Sequence, residues 1–336
     1  MFNLIKRNSE TKNAYRPHPE AMIITCFFNP QNSPYRIKAF QVFYESIKQV
    51  NHSVIECVIG NTSPQLEESE HITRVYTENL LWHKESLLNK IISELPVQYQ
   101  YIFWVDADVL FTNPNWIVEG VEALQDNTII QPFEYGVFLE KDQLKPSFNM
   151  DDIKETYLPN AVHNKVWRSF AANYTDTELW KHKMYNKHGH VGLAWGAKRA
   201  ILEAVPLFDK ALIGGADHVI AHAAAGQIPH SCITEDFKGN IEQVNLWSLD
   251  FYKVTEGKIG FVRGELYHLW HGDMDKRQYR ERNEYNANIK EIVKRDDNGL
   301  YVTNQADDSY IKNYFKQKEA PEEKKAHFFK RLFTNK

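Results

Sequence analysis

Apolar residues first gather in AMIITCFF (21–28), a continuous run that stops at Asn29-Pro30. Such a run predicts a strand buried on both faces that enters a loop at its end. Behind it, PYRIKAFQVFYESIKQV (34–50) spaces Ile37, Phe40, Phe43, Tyr44 and Ile47 three or four apart with Pro34 in the first turn, which predicts an amphipathic helix. SVIECVIGN (53–61) and RVYTEN (74–79) predict two further strands. WHKESLLNKIISEL (82–95) lines up Leu87, Leu88, Ile91, Ile92 and Leu95, and Pro96 closes this second helix. YIFWVDADVLF (101–111) then predicts a strand interrupted only by Asp106 and Asp108. The order strand, helix, strand, strand, helix, strand argues for an α/β chain with a mostly parallel sheet of nucleotide-binding type, flanked by helices.

Residues 141–190 turn polar and lose their period, as a polar insertion on the acceptor side or a lid would. Regularity returns with HVGLAWGAKRAILEAVPLF (190–208), then with IGGADHVIAHAAAG (213–226), where a Gly-Gly turn opens a helix, and with a strand over IGFVRGELYHLWHGD (259–273). The pattern divides the chain into an N-terminal segment (1–20), one domain over 21–273 with halves 21–140 and 141–273, and a charged extension (274–336) expected to be helical.

Composition narrows the partners. Forty Lys and Arg against 44 Asp and Glu leave a formal charge of -4, which argues against nucleic acid. Cys26, Cys57 and Cys232 are far apart, form no CxxC, and read as free thiols of a reducing compartment. No window reaches the roughly 18 to 20 apolar residues of a membrane span, and the N-terminus lacks a signal-like stretch, so the expected compartment is the cytoplasm. The basic, amphipathic KKAHFFKRLFTNK at the C-terminus would suit peripheral contact with an anionic membrane surface.

The chemistry starts at Asp106 and Asp108. Two carboxylates one residue apart on an extended segment point to the same side, where both can face one cation or one ribose. Carboxylates in an apolar run are costly unless paired, and hard oxygen ligands suit Mn²⁺ or Mg²⁺ bound to a diphosphate. An Asp-x-Asp triplet alone is a weak signal.

Its surroundings carry a resemblance. WHKESLLNKIISELPVQYQYIFWVDADVLFTNPNW (82–116) resembles nucleotide-sugar glycosyltransferases of the GT-A fold, in which a helix carrying an Asn, here Asn89, precedes a strand ending in Asp-x-Asp. VIECVIGNTS (54–63) is similar to their second strand and nucleotide-base loop, and marks Asn61. GLAWGAKRAILEAVPLFDKALIGGADHVIAHA (192–223) resembles the acceptor-side segment of the β-1,4-galactosyltransferase family, which implies Asp217 as catalytic base. It departs from that family at Ala216, where an acid is expected, and at Ile213, where an aromatic residue is. ELYHLWHGD (265–273) resembles the late strand whose histidine completes the metal site, with His268 preferred over His271.

The resemblance implies a metal-dependent hexosyltransferase that moves a sugar from a nucleoside-diphosphate sugar, a UDP-sugar by expectation, to a hydroxyl acceptor with inversion. Asp108 and a histidine would hold Mn²⁺ or Mg²⁺, Asp106 would share the ion or the ribose, and Lys276 and Arg277 would meet the diphosphate. The acceptor stays open among a glycan, a lipid-linked sugar and a modified DNA base. Three alternatives remain: a retaining transferase, a nucleotidyltransferase or phosphohydrolase using the same acids, and a non-catalytic sugar-binding protein. His218 and His222 share a helix face four residues apart. They lack the Glu that a zinc protease places after the first His, and read as structural.

Overall fold

The computed structural model describes residues 14–60, 62–156, 165–182, 185–228, 231–272 and 294–302. Its first part runs β1 (Ala21–Phe28), α1 (Pro34–Ile47), β2 (His52–Ile59), β3 (Ile72–Thr77), α2 (Lys84–Glu94) and β4 (Tyr101–Val105). After it come β5 (Val109–Phe111), α3 (Trp116–Asp126), β6 (Ile129–Gln131), β7 (Tyr135–Phe138), α4 (Met150–Thr156), β8 (Val166–Arg168) and α5 (Phe170–Asp176). The remainder is α6 (Tyr185–His188), β9 (Ala194–Lys198), α7 (Arg199–Ala204), α8 (Ala216–Ala224), α9 (Ser231–Asp236), α10 (Ile241–Thr255), β10 (Ile259–Phe261), β11 (Glu265–His268), β12 (Lys294–Arg295) and β13 (Tyr301–Val302).

Seven strands form the central sheet in the order β10-β6-β9-β4-β1-β2-β3. β9 runs antiparallel to β4 and β6, and the other neighbours are parallel. Helices cover both faces, and the alternation inside the strands shows it. Met22, Ile24 and Phe28 of β1, with Ile102 and Trp104 of β4, face a core built with Leu87, Leu88, Ile91 and Ile92 of α2 and Val219 and Ile220 of α8. Ala21, Ile23 and Phe27, with Phe103 and Val105, face the opposite core, built with Phe40, Phe43 and Ile47 of α1 and Trp116, Val121 and Leu124 of α3. Burial on both sides is why these strands read as continuous apolar runs. Each fully buried Leu, Ile or Phe adds about 1.5–3 kcal/mol relative to exposure.

A glycine sets the spacing between β4 and β9. A Cβ on Gly196 would lie 2.5 Å from the Phe103 ring, so the ring rests directly on the β9 backbone. Beside it, Trp104 pairs with Trp195 across the antiparallel register.

Two apolar runs that each predict one strand are broken in the fold. YIFWVDADVLF divides into β4 in the central sheet and β5 in a second, four-stranded sheet, ordered β5-β11-β7-β8. Residues 259–273 divide likewise into β10 and β11, with Gly264 at φ 128° in the turn between them. Charged or turn-forming residues leave the apolar slab at both places, and the chain changes sheets there.

Within the polar stretch 141–190, the described residues form α4, β8, α5, α6 and a turn of 3₁₀ helix at Leu179–Lys181. In the C-terminal extension the helical expectation does not hold where the chain is described. Residues 294–302 are a two-stranded hairpin, held by Arg295 on Asp209 at 2.6 Å and by Asn298 donating to the Tyr76 carbonyl at 2.9 Å. The terminal KKAHFFKRLFTNK lies outside the described residues. Cys26 and Cys57 are free thiols, and burial pushes both up, Cys57 to about 12. No helix among the described residues is long and apolar enough to cross a membrane.

Candidate active site

Asp106 and Asp108 stand where β4 ends, and the backbone leaves extended geometry at that point. The chain turns at residues 107–108 between β4 and β5, so the side-to-side alternation of a strand does not govern them, and the two carboxylates part company. Asp106 Oδ1 takes the Lys84 ammonium at 2.6 Å. Asp108 faces two histidines, His271 Nε2 at 3.0 Å and His268 Nε2 at 3.8 Å. Of the two roles expected for Asp106, a share of the ion or a contact with the ribose, this geometry favours the second. Asp108, His268 and His271 offer ligand atoms within 4.8 Å of one another, and Asp106 is not in that group.

The strand order explains the histidines. β11 runs antiparallel to β5 with His268 opposite Val109, and the Leu269 amide donates to the Asp108 carbonyl at 2.8 Å. That pairing delivers a segment some 160 residues later in the chain (108 against 268) to the end of β4. Both histidines face Asp108, and His271 is the nearer. The Phe138 ring lies 4.8 Å from that of His268 and limits its freedom.

Asp217 arrives from a later part of the chain. Gly214 and Gly215 take φ 95° and 103°, a left-handed pair that only glycine adopts readily, and turn the chain into α8. Asp217 then sits in the first turn of α8, where the helix dipole favours an acid. Its carboxylate lies 3.6 Å from Lys84 Nζ, so one ammonium bridges Asp106 and Asp217. Gly192 leaves room beside it, because a Cβ there would be 3.4 Å from Asp217 Oδ2. Leu193, at φ 78°, accepts the Asp106 amide at 2.8 Å, so backbone strain is held at the strand end.

Lys84 is the residue that the sequence reading missed. A lysine opening a helix opposes the helix dipole, and that misplaced cation was the available signal. Burial works against its charge, yet Asp106, Asp217 and Glu85 hold its pKa well above the ordinary lysine value. Burial pushes Asp106 up to about 6, with Lys84 opposing the rise and Asp217 and Asp108 adding to it. Asp108 goes the other way. Burial alone would raise it, but His268 and His271 hold it well below the usual carboxylate range.

Glu85, buried beside Lys84, is pushed up by burial from 4.5 to about 8. Its folded value lies above the unfolded one, so its contribution to stability is complete below 4.5 and is lost as pH rises through about 8. Glu85→Gln is uncharged throughout and is expected to flatten that decline. Urea unfolding from about pH 5 to about pH 9 should show the variant gaining on the parent toward the alkaline end. Parallel curves would assign Glu85 an ordinary carboxyl.

Other candidates fall elsewhere. Asn89 is committed to structure: its amide donates to the Leu207 carbonyl and accepts from the Leu207 amide, both at 2.9 Å, which clamps α2 to the segment after α7. Asn61 lies outside the described residues. The loop it belongs to is anchored by buried Glu56, which accepts from the Gln65 and Leu66 amides and pairs with Arg74 at 3.1 Å. Lys276 and Arg277 also lie outside the described residues.

No family model and no curated protein matches this chain. Among solved structures it is similar to glucosyl-3-phosphoglycerate synthase from Mycobacterium tuberculosis, in complex with Mn²⁺, uridine-diphosphate-glucose and phosphoglyceric acid. Identity is 9%, coverage 80% of this chain and 77% of that one, and the TM-score 0.36. It is similar also to mannosyl-3-phosphoglycerate synthase from Rubrobacter xylanophilus (10% identity, 80% and 72% covered, TM-score 0.36). A third is a mannosyltransferase from Pyrobaculum calidifontis in complex with GDP-Man and Mn²⁺ (12% identity, 84% and 66% covered, TM-score 0.38). Likeness at that level assigns neither a family nor an activity.

Proposed function

We propose that this chain is a metal-dependent glycosyltransferase of the GT-A type that transfers a sugar from a nucleoside-diphosphate sugar, a UDP-sugar by preference, to a hydroxyl acceptor. The observation that carries the reading is the convergence at one strand end of a metal-ligating group, Asp108 with His268 and His271, and a second carboxylate, Asp217, tied to the same place through Lys84. The ligand group passes a chemical test. Asp108 Oδ1 is buried without a hydrogen-bond partner, as a carboxylate oxygen reserved for a cation would be. Two imidazoles and one carboxylate suit Mn²⁺ better than Mg²⁺, which prefers oxygen ligands and its own waters.

A divalent ion held there would act as a Lewis acid and offset charge on a departing diphosphate. The chain's own groups do the rest. Lys84 bridges Asp106 and Asp217 and holds the two carboxylates side by side, and Asp106 is left to accept from a ribose hydroxyl with its second oxygen. Asp217, on the acceptor half, takes the proton of the attacking hydroxyl as the new bond forms, which entails inversion at the anomeric carbon. The resemblance to the β-1,4-galactosyltransferase family supports that role. The acceptor is a hydroxyl on a glycan or lipid-linked sugar, and the acidic balance speaks against DNA. A nucleotidyltransferase with two metals would need a second acidic ligand group. Among the described residues, only the Asp108 group contains a carboxylate.

Calorimetric titration with a panel of UDP-, GDP- and CDP-sugars, in Mn²⁺, in Mg²⁺ and in chelator, tests the reading. One nucleotide class is expected to bind, in Mn²⁺ more tightly than in Mg²⁺ and not in chelator. A chain that binds no nucleotide-sugar under any of these conditions is not such a transferase.

A further inference from the structure

Away from the strand end, three histidines from two separate elements converge. His188 closes α6, and His218 and His222 stand one turn apart on α8. Their ring centroids form a nearly equilateral triangle, with 5.1 Å from His188 to His218, 5.0 Å from His188 to His222 and 5.0 Å from His218 to His222. One ring nitrogen of each lies within 4.8 Å of the others, and the Nε2 atoms of His188 and His218 are 3.1 Å apart. Tetrahedral zinc with bonds of about 2.0–2.1 Å sets neighbouring ligand nitrogens about 3.3 Å apart, close to that spacing.

The outer sides of the rings are arranged to match. His188 Nδ1 is 2.9 Å from the Gly189 carbonyl, and His222 Nδ1 is 2.6 Å from Gln227 Oε1. Both partners are oxygens that only accept, so each Nδ1 carries the proton and each Nε2 presents a lone pair. The Asp236 carboxylate lies 3.9 Å from His218 Nδ1, on the outer side of the third ring. His188 Nε2 thus presents a lone pair toward His218 Nε2, 3.1 Å away, which either a proton on His218 or a cation between the rings would meet. Oxygen acceptors behind inward-facing imidazoles are the usual surroundings of a metal-bound histidine set. The place is interior. His188 and His222 are buried, and Phe170 packs edge-on against both rings.

We propose that His188, His218 and His222 bind one zinc ion that fastens α6 to α8. The site is separate from the Asp108 group and shares no residue with it. Three imidazoles without a carboxylate select zinc over Mn²⁺ or Mg²⁺. The ion would hold the first turn of α8, and with it Asp217, which precedes His218 in the chain. The pair His218 and His222 alone reads as structural from the sequence. His188 changes that reading, and it lies 30 residues upstream in a stretch without period.

The test uses the full chain carrying Asp108→Ala, so that the first ligand group is disabled. After chelator stripping and dialysis against Zn²⁺, about one zinc per chain is expected to remain, to raise the melting temperature, and to be lost in the same protein carrying His188→Gln or His222→Gln. Replacing Zn²⁺ by Co²⁺ is expected to give the intense visible absorption of a four-coordinate site. That measurement needs no histidine variant and stands even if those variants fail to fold. Zinc content unchanged by the histidine substitutions would overturn the proposal. So would a colourless Co²⁺ protein with an unmoved melting temperature, since the triad is then a set of hydrogen-bonded rings, His218 Nε2–H donating to His188. Neither result touches the glycosyltransferase reading, which is judged by nucleotide-sugar binding.

Discussion

Asp217→Asn is expected to lower the turnover of sugar transfer by about 10²–10⁴-fold while leaving Mn²⁺-dependent donor binding intact. The amide keeps the size of the carboxylate but cannot accept the hydroxyl proton at neutral pH. The fold should tolerate the change, because Lys84 retains its nearer partner, Asp106, at 2.6 Å, against 3.6 Å to Asp217. The loss should therefore appear in kcat, with the KM for the donor little altered. Near-normal turnover would reduce Asp217 to a favourable first-turn acid of α8 and would remove the argument for inversion. Analysis of the anomeric configuration of the parent enzyme's product by NMR provides a second, independent check on the same assignment.

Asp108→Ala is expected to abolish metal-dependent donor binding. Partners one shell out from a metal typically account for 10–100-fold in affinity, so loss of the carboxylate ligand itself should weaken Mn²⁺ by at least about 100-fold. Two histidines would be left facing each other, with ring centroids 5.1 Å apart. The measurement is calorimetric titration of Mn²⁺ and of the nucleotide-sugar identified in the panel, with circular dichroism to show that the variant is folded. Asp106→Asn gives the contrast. It removes the strong partner of Lys84 but no member of the ligand group, and it should reduce donor affinity with the Mn²⁺ affinity largely kept. Equal loss of Mn²⁺ in both variants would return Asp106 to the metal.

Most of the sheet was legible because hydrophobic runs and helical periods are local properties. AMIITCFF reads as a buried strand and forms one, and the α2 stripe of Leu87, Leu88, Ile91 and Ile92 reads as a core face and is buried. The acidic pair was legible as chemistry for the same reason, two charges in an apolar run. What they would hold was not. The inference that Asp106 and Asp108 share a face depended on extended backbone, and the chain leaves that geometry after Val105. Asn89 looked like a ligand from its position before the acidic strand, yet its amide is consumed by Leu207, 118 residues away. Lys84 was passed over because a single lysine in a helix is ordinarily solvated.

The sequence by itself determined the class of architecture, the strand end at which charge gathers, and the residue types available there, since each follows from periods and burial costs acting over a few neighbours. Only the tertiary structure decided the partners. Pairing of β11 with β5 brought His268 and His271 to Asp108, the left-handed glycine pair aimed Asp217 at Lys84, and the packing of α6 on α8 joined His188 to His218 and His222. The physical reason is that electrostatic pairing and metal ligation depend on distances across the fold, which packing sets rather than spacing in the sequence.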